Sequence, residues 1–543
     1  MLLPFLEFCA AQDILYAPVL GGATDTSVRI LFFTARPSIF KMEFSTDAAF
    51  KSIAVQYEGE TDIKLHNRGL VDAHGLKPST VYYYRVLIRA TPDSMQGHFK
   101  TFPPVGAKGH YVIATGSCQE TADMEVYNVI AKNNPDVFIH TGDWTYPDYM
   151  VPGYPANDSL VFRGYIKRYT EKVMKDMMPN TIIDYLPDNH DGIGGAAHNH
   201  LKKAAYKMEG KKVINYFITD TITQQVRSRV IDAYADYFPA YPLEDTTIGV
   251  YHCFKMGNAE FFVIDIRDDA TFQPNAFKYD SAANHWSYEP PPGHTIISRK
   301  QMDWLEQGLK NSTADWKFLV MGIPFNKNIV HLINLGIHFQ DLVIAAGGEE
   351  GTGFRLAASW CFYWPGYPES QKELMGFIHN NNIKDVIVIS GDTHHNVIDD
   401  GRNAGLPEIN ASGLSVTGTV LAHYMNLIGR LAGYPDIKKY LWDVGGNGVH
   451  NKNYKNAFGK VDIYGADSVK LSIVDENNDV VCAVDIPHSS IAPPARPHKE
   501  PQYMKHLERI SFRDKPTPRM QLIKALARAF LHKKKTKVKG DID

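Results

Sequence analysis

The sequence predicts an α/β protein in which a layered α/β domain follows an N-terminal β-sandwich. Short strand-like runs separated by turns fill residues 13–103, the pattern of an all-β module. Past a proline-containing linker near residues 102–106, apolar strands alternate with helical stretches, which is typical of an α/β domain with its sheet covered on both faces. We expect this second domain to span residues 108–488 and a basic tail to occupy residues 493–543.

Composition bounds the class of protein. A chain of 543 residues accommodates roughly two to four domains. A net charge of −3 gives no indication of a nucleic-acid partner. The five cysteines are odd in number and widely spaced, which argues against a disulfide framework. No run of about eighteen apolar residues predicts a transmembrane helix. The apolar start, residues 1–12, is either the remnant of a secretion signal or an N-terminal strand; it lacks a basic n-region and contains Glu7, so we favour the strand.

The N-terminal module is predicted from its strands. Residues 27–33 form a clear β-pattern, and residues 53–57 and 63–65 are shorter candidates. Residues 75–86 form a turn that leads into an aromatic strand, and this run resembles the corresponding strand of fibronectin type III-like domains. Short strands with regular turns suit a β-sandwich.

The second domain is predicted from alternation. Its strand candidates are residues 111–115, 137–140, 181–186, 260–266, 317–323 and 385–390, and its helix candidates are residues 122–133, 298–309 and 369–380. Residues 195–245 are rich in helical pattern, and we interpret them as a cap over one face of a site. Three further strand runs between residues 459 and 486 are expected to close the sheet.

Polar side chains with metal-ligand chemistry follow five of these apolar strands. A doubly wound sheet would bring its strand ends together at one edge. Thiolate, phenolate and imidazole suit a transition metal such as iron or zinc, whereas carboxylate and amide oxygens suit calcium, magnesium or manganese. The sequence therefore predicts two different ions bridged by one carboxylate. The five loops are Ser117-Cys118-Gln119, Gly142-Asp143-Trp144-Thr145-Tyr146, Asp188-Asn189-His190-Asp191, Asp265-Ile266-Arg267-Asp268-Asp269 and Gly391-Asp392-Thr393-His394-His395.

Each of these residues taken alone has an ordinary interpretation. A lone cysteine such as Cys118 is more often a small buried hydrophobe than a ligand. His190 and His394 suit satisfied polar positions, Arg267 suits a structural ion pair, and Tyr146 suits simple packing. Five such loops, each after a predicted strand, form a much stronger signal than any one short motif.

The motifs, in this order, resemble those of PhoD-type alkaline phosphatases within the calcineurin-like metallophosphoesterase superfamily. The resemblance covers residues 13–488 and includes the preceding β-sandwich. The matching motifs are Gly116-Ser117-Cys118-Gln119, the Gly-Asp-x-x-Tyr of Gly142 to Tyr146, Asp188-Asn189-His190-Asp191, Asp265-Ile266-Arg267, Gln301-Met302-Asp303-Trp304-Leu305, Trp364-Pro365-Gly366-Tyr367-Pro368 and Gly391-Asp392-Thr393-His394.

The resemblance implies a metal-dependent phosphoric ester hydrolase that acts on small phosphate esters, as a phosphomonoesterase, a phosphodiesterase or both, through a metal-activated hydroxide. It implies two or more metal ions, Fe³⁺ with Ca²⁺, with Zn²⁺, Mn²⁺ or Mg²⁺ as alternatives. By resemblance, Fe³⁺ would be held by Cys118, Asp143, Tyr146 and His394. Asp143 would bridge to a second site completed by Asn189 and Asp392. His190 would face the phosphate and assist the leaving alkoxide, and Arg267 is a candidate for binding the phosphate.

Two departures from the family pattern leave the second metal and the substrate range open. Asn189 stands where the family usually has an aspartate, which replaces a charged ligand with a neutral one. Ile266 interrupts the usual Asp-Thr-Arg, and two acids, Asp268 and Asp269, follow Arg267.

Three alternatives stand beside this interpretation. A purple acid phosphatase also pairs a β-sandwich with such motifs, but residues 391–394 lack the first histidine of that family, and Cys118 replaces an aspartate. A phosphodiesterase of the same fold is the second alternative. The third is a non-catalytic adhesion or scaffold protein, which would have no need of five ligand-bearing loops.

The tail and the compartment stay open at this point. Residues 519–539 have the pattern of a basic amphipathic helix, which suits either a solvated tail or contact with an anionic membrane surface. The family is mostly exported, but the N-terminus carries no twin arginine.

Overall fold

The fold was analysed in a computed structural model, which describes residues 13–89, 91–119, 124–144, 158–188, 190–191, 207–209, 212–214, 224–267, 270–271, 277–280, 282, 285–345, 357, 360–402, 404–415 and 437–489. Among these residues, no helix combines the length and the apolar character that crossing a membrane requires. Several predicted features lie outside the described residues: Tyr146, Asn189, Asp268, Asp269, the start at 1–12, most of 195–223 and the tail at 493–543.

The N-terminal region consists of two antiparallel sheets. One contains β1 (Val19–Gly21), β2 (Ser27–Phe33) and β5 (Arg68–His74). The other has the order β4-β3-β6-β7, from β3 (Ile39–Ser45), β4 (Val55–Glu60), β6 (Val81–Ile88) and β7 (Thr91–Lys100). The rings of Phe32 and Phe40 meet edge to face at 5.0 Å and join the two sheets. The strand predicted at residues 63–65 is wrong: Ile63–Leu65 is a 3-10 turn, because the Asp62 side chain accepts from the Lys64 amide and caps it.

A six-stranded mixed sheet begins the second domain, in the order β10-β9-β8-β22-β23-β24. The strands β8, β9 and β10 run parallel, and β22 pairs antiparallel with β8. The predicted C-terminal strands therefore extend this sheet, as expected. The strand bounds are β8 His110–Gly116, β9 Val137–His140, β10 Ile183–Tyr185, β22 Ala457–Tyr464, β23 Ser468–Asp475 and β24 Val480–Pro487.

A seven-stranded mixed sheet forms the other half, in the order β13-β14-β17-β18-β20-β19-β21. Its parallel core comprises β14, β17, β18 and β20. The bounds are β13 His252–Met256, β14 Ala259–Val263, β17 Trp316–Val320, β18 Val386–Ser390, β19 Asn396–Asp400, β20 Pro407–Ala411 and β21 Gly445–Gly446. Two small hairpins lie outside the sheets: β11 (Lys207–Glu209) with β12 (Lys212–Ile214), and β15 (Phe277–Asp280) with β16 (His285–Tyr288).

The prediction of a single doubly wound sheet is wrong. The second domain contains two mixed sheets, and they pack face to face. Alternate residues of the central strands enter different cores, as the pleat of a strand requires. Phe261, Phe318 and Ile387 share a core with the six-stranded sheet. Their neighbours Phe262, Leu319 and Val388 join a second core with the helices. The sheets approach so closely that a Cβ on Gly459 would lie 2.9 Å from Cδ1 of Ile409.

Helices account for the remaining regular structure of the described residues. Their bounds are α1 Glu125–Lys132, α2 Asp158–Thr170, α3 Lys172–Met177, α4 Gln224–Tyr237, α5 Arg299–Asn311, α6 Val330–Ala345, α7 Pro368–Asn380 and α8 Ile437–Leu441, with 3-10 turns at Lys327–Ile329 and Trp364–Gly366. Ser298 caps α5 by accepting from the Gln301 amide at 3.2 Å. The segment after α4 joins the two regions, since the Tyr241 hydroxyl donates to the Ala23 carbonyl at 2.7 Å.

Candidate metal centre

The loops after β8, β9 and β18 carry four of the residues proposed as ligands. Cys118, Asp143, Asp392 and His394 all have left-handed backbones, with φ of 61°, 57°, 63° and 52°. A non-glycine residue in this region is strained by roughly 1 kcal/mol, and such strain concentrates at functional sites. Each of these strands therefore leads into a strained turn that carries at least one donor side chain.

One group of donors combines sulfur, oxygen and nitrogen. Cys118, Asp143 and His394 each offer one ligand atom, and these atoms lie within 4.8 Å of one another. Burial, followed by the charges of Asp143 and Asp392, raises the pKa of the Cys118 thiol well above its usual value. Only a nearby cation would stabilise a thiolate in this setting. Such a donor set suits a transition metal.

A second group consists of carboxylates alone. Asp143, Asp188 and Asp392 place their oxygens within 4.8 Å of one another, so Asp143 belongs to both groups. Burial and then the charge of Asp188 raise the pKa of Asp143 well above its usual value, and the same two causes raise the pKa of Asp392 to about 7. Carboxylates crowded in this way are stabilised by a bound cation. The side chains present thus fit two cations that share Asp143.

Asp191 ties the loops after β9 and β10 together. Its Oδ2 accepts from the backbone amides of Asp143 at 2.7 Å, Asp188 at 2.8 Å and Trp144 at 3.3 Å. The amide of His190 donates in turn to Oδ1 of Asp143 at 3.1 Å. One buried carboxylate therefore fixes the backbone on both sides of the shared ligand.

Two glycines permit the loops to approach this closely. Gly142 has a φ of 106°, and a Cβ there would clash with Cβ of Asp188. A Cβ on Gly391 would lie 2.5 Å from Oγ of Ser117. Larger residues at either position would separate the loops that bring the donors together.

Arg267 lies against the carboxylate group. Its guanidinium donates to both oxygens of Asp188 and, through Nη2, to Oδ2 of Asp392 at 2.9 Å. Asp265 holds the segment in place, because its Oδ1 accepts from the Arg267 amide at 3.0 Å. The Gln301 side chain, at the start of α5, both donates to the Asp265 carbonyl and accepts from the Asp265 amide, each at 2.8 Å.

Tyr363 completes the contacts to Asp392. Its hydroxyl donates to Oδ2 of Asp392 at 2.8 Å. Burial and then the charge of Asp392 raise the pKa of Tyr363 well above its usual value, so the phenol keeps its proton and remains a donor.

The structure brings six of the proposed site residues to this edge. Cys118, Asp143, Asp392 and His394 supply donor atoms, Arg267 contacts two carboxylates, and the His190 amide contacts Asp143. Tyr146 and Asn189 lie outside the described residues.

Sequence reasoning gave no role to four residues that contribute here: Asp188, Asp191, Asp265 and Tyr363. The first three stand in the motifs already identified, so their acidic character was an available signal. Nothing in the sequence around Tyr363 indicates a contact with Asp392.

Comparison with known proteins points to one family. The model of the PhoD-like phosphatase family matches residues 206–420. Alkaline phosphatase D of Bacillus subtilis (strain 168) is 26% identical to this chain over 383 residues. The chain is thus similar to PhoD-like phosphatases over its central part. The alignment with the Bacillus protein covers 65% of this chain but only 58% of that relative's length.

Solved structures agree with the fold. A structure of PhoD aligns with 94% of this chain and with 98% of that structure's chain, with a TM-score of 0.56 at 18% identity. That likeness supports the mixed α/β fold. A purple acid phosphatase from yellow lupin (Lupinus luteus) seeds aligns with 87% of this chain and 74% of that structure's chain, with a TM-score of 0.47 at 11% identity.

Proposed function

We propose that this PhoD-like protein hydrolyses phosphate esters, either monoesters, diesters or both. The observation that supports this most directly is the pair of donor groups that share Asp143. Two cations bridged by one carboxylate are the arrangement that holds and neutralises a phosphoryl group. The match of the PhoD-like phosphatase family model to residues 206–420 and the similarity to an alkaline phosphatase D point to the same reaction.

The ligand assignment is part of the proposal. Fe³⁺ suits the mixed group of Cys118, Asp143 and His394, together with Tyr146. Ca²⁺ suits the group of oxygens from Asp143, Asp392 and Asn189, to which the geometry adds Asp188. When bound, the two cations supply charge neutralisation and the activation of water.

The remaining chemistry falls to side chains of this chain. The guanidinium of Arg267 is the fixed positive charge beside the carboxylate group, which suits it to orient a phosphate oxygen. The backbone amide of His190 donates to Oδ1 of Asp143, which holds His190 beside the candidate metal centre. From there the imidazole of His190 is suited to protonate the leaving oxygen. Tyr363 and Asp191 orient Asp392 and Asp143 and do not react.

The test combines metal content with turnover. We expect the purified chain to contain metal at stoichiometric level and to hydrolyse p-nitrophenyl phosphate or its diester. Asp143→Asn should lose both metal and activity, the activity by at least about 100-fold, since outer-shell changes alone cost 10–100-fold. Asp176→Asn, at an exposed position of α3, is the matched control. Full activity of Asp143→Asn without bound metal would falsify the proposal.

Spectroscopy separates the first metal from the second. A visible charge-transfer band that Tyr146→Phe removes would support Fe³⁺ bound by a tyrosinate. Rates on the monoester and the diester then decide between the two substrate classes.

The finer architecture is proposed on similar grounds. The two antiparallel sheets of the N-terminal region support a fibronectin type III-like module at residues 13–103. We place the phosphatase domain at residues 108–488 and a separate tail at 493–543. Limited proteolysis that releases fragments with these ends would support the boundaries.

A further inference from the structure

A second acidic cluster lies at the C-terminal end of β19, the end farther from the candidate metal centre. β19 begins at Asn396, two residues after His394, and ends at Asp400. Its antiparallel partner β21 pairs Gly445 with Ile398, which brings Asp443 beside the end of β19. Asp399, Asp400 and Asp443 each offer one carboxylate oxygen, and these oxygens lie within 4.8 Å of one another. At about 3.3 Å of rise per residue, the cluster is on the order of 15 Å from His394.

Asp399 is the member of the cluster that demands an explanation. Its side chain is fully buried, with 0% of its surface exposed. Oδ1 accepts from the Gly401 amide at 2.8 Å, but Oδ2 has no hydrogen-bond partner among the described residues. A buried polar oxygen left in this state costs about 1–3 kcal/mol. Burial, followed by the charge of Asp443, raises the pKa of Asp399 to about 8.

The positive charge around the cluster does not balance it. Arg402, itself exposed, pairs with Asp400, whose Oδ1 also accepts from the Arg402 amide at 3.0 Å. Oδ1 of Asp443 accepts from the Asp400 amide at 3.1 Å, and the Asp443 carboxyl also hydrogen-bonds to the Asp400 carboxyl. Glu408 is a further acid nearby, because it pairs with Asp399 across β19 and β20. Its carboxyl accepts hydrogen bonds from the Ser390 hydroxyl and the Phe325 amide.

We propose that Asp399, Asp400 and Asp443 form a structural Ca²⁺ site, distinct from the metal centre proposed above. The donors are carboxylate oxygens without sulfur or nitrogen, which selects a hard cation. Ca²⁺ tolerates irregular geometry and completes its shell with water and carbonyl oxygens. Asp443 is partly exposed, so an ion can enter from solvent on its side and reach the buried Asp399.

The site would act on stability and on the position of one strand. β21 is only two residues long, and its pairing with β19 is short. An ion bound by Asp399, Asp400 and Asp443 would stabilise the pairing of β19 with β21 at the C-terminal end of β19, beside Asp443. β19 leads back directly to His394, so the ion would also steady that loop.

The test uses Tb³⁺ as a luminescent probe of Ca²⁺ sites in the full chain. Trp442 is buried next to Asp443 and would sensitise an ion there, whereas Trp144 would do so at the proposed metal centre. We therefore measure Tb³⁺ binding, and its displacement by Ca²⁺, in the unsubstituted chain and in Asp443→Asn. We expect Asp443→Asn to remove the Trp442 component by weakening binding at least about tenfold, because loss of a ligand exceeds the outer-shell effect. Asp176→Asn should bind as the parent does.

Thermal unfolding of a second variant, Asp399→Asn, tests the proposal independently in case Asp443→Asn folds poorly. Ca²⁺ at the proposed metal centre would also raise the unfolding temperature, so the two proteins are compared with each other. Asp399→Asn should gain less from Ca²⁺ than the parent does, while matching the parent in chelator. Its amide has the shape of a protonated carboxyl, so a shared proton in place of an ion predicts the same Ca²⁺ dependence in both proteins. That result, or Tb³⁺ luminescence unchanged in Asp443→Asn, would overturn the proposal.

Discussion

The Tyr363 hydroxyl donates a 2.8 Å hydrogen bond to the same Asp392 oxygen that Nη2 of Arg267 contacts at 2.9 Å. Both donors stabilise the charged form of Asp392 and turn it toward Asp143 and Asp188. Tyr363→Phe removes one donor and keeps the ring. We expect metal affinity or turnover to fall by about 10–100-fold, as for other outer-shell partners. Metal titration followed by rates on p-nitrophenyl phosphate would measure this.

The control for Tyr363→Phe is Tyr82→Phe, which removes a buried hydroxyl that contacts the Lys77 amide in the N-terminal sandwich. It should leave turnover unchanged. Equal metal affinity and turnover in Tyr363→Phe and the parent would show that the contact is incidental.

Asp191→Asn should weaken both stability and metal binding. One oxygen of Asp191 accepts three backbone amides, and an amide side chain cannot satisfy that set as well as a carboxylate can. Hydrogen bonds to charged groups contribute about 1.5–3 kcal/mol, so a loss of about 2–4 kcal/mol in unfolding free energy is expected. Urea unfolding of the metal-free chain, with Asp176→Asn beside it, gives the measurement. An unchanged midpoint would contradict the role assigned to Asp191.

Arg267→Lys tests whether the fork of the guanidinium is needed. A lysine carries the charge but cannot hold Asp188 and Asp392 in the same bidentate manner. We expect kcat/KM to fall by about tenfold or more, mainly through KM, as the phosphate loses an oriented partner. Inhibition by inorganic phosphate should weaken in parallel. A lower melting temperature with normal KM would mean that Arg267 is purely structural.

The pair of His252 and Asp184 should make stability depend on pH. His252 is buried, with Nε2 3.2 Å from Oδ1 of Asp184 and Nδ1 2.8 Å from the Val250 carbonyl. Burial opposes the charged imidazole, but Asp184 outweighs it, so the pKa of His252 is raised. This stabilisation is complete below the unfolded value of about 6.5 and is lost as pH rises through the higher folded value.

Melting temperatures of the parent and His252→Gln, measured from below pH 6.5 to above it, would test this direction of the pH dependence. The difference between the two proteins should shrink as pH rises above about 6.5. A difference that grows with pH would contradict the assignment.

Strand and helix positions in the second domain were largely predictable from apolar runs. The strand runs that became β14, β17 and β18 and the helices α5 and α7 lie within a few residues of their expected places. The division into two sheets was not predictable, because periodicity shows that a strand is buried and not what covers it. Phe261 and Phe262 are both apolar, and only the fold assigns them to different cores.

The candidate site was predictable where a ligand type follows directly after a strand, as with Cys118, Asp143 and Asp392. It was not predictable where the role depends on backbone groups brought in from another loop. Asp191 accepts from amides nearly fifty positions away, for example that of Asp143. Tyr363 reaches Asp392 from a turn that no local pattern connects with β18.

The order of strands across the six-stranded sheet imposes an order on biosynthesis. β8 lies between β9 and β22, so its second edge stays open until residues 457–464 have been made. A chain cut before residue 457 would hold Cys118, Asp143, Asp392 and His394 and still present an unpaired strand beside them. Open edges of that kind invite association between nascent chains. Pairing of β22 with β8 is thus the step that covers this open edge beside the ligand residues.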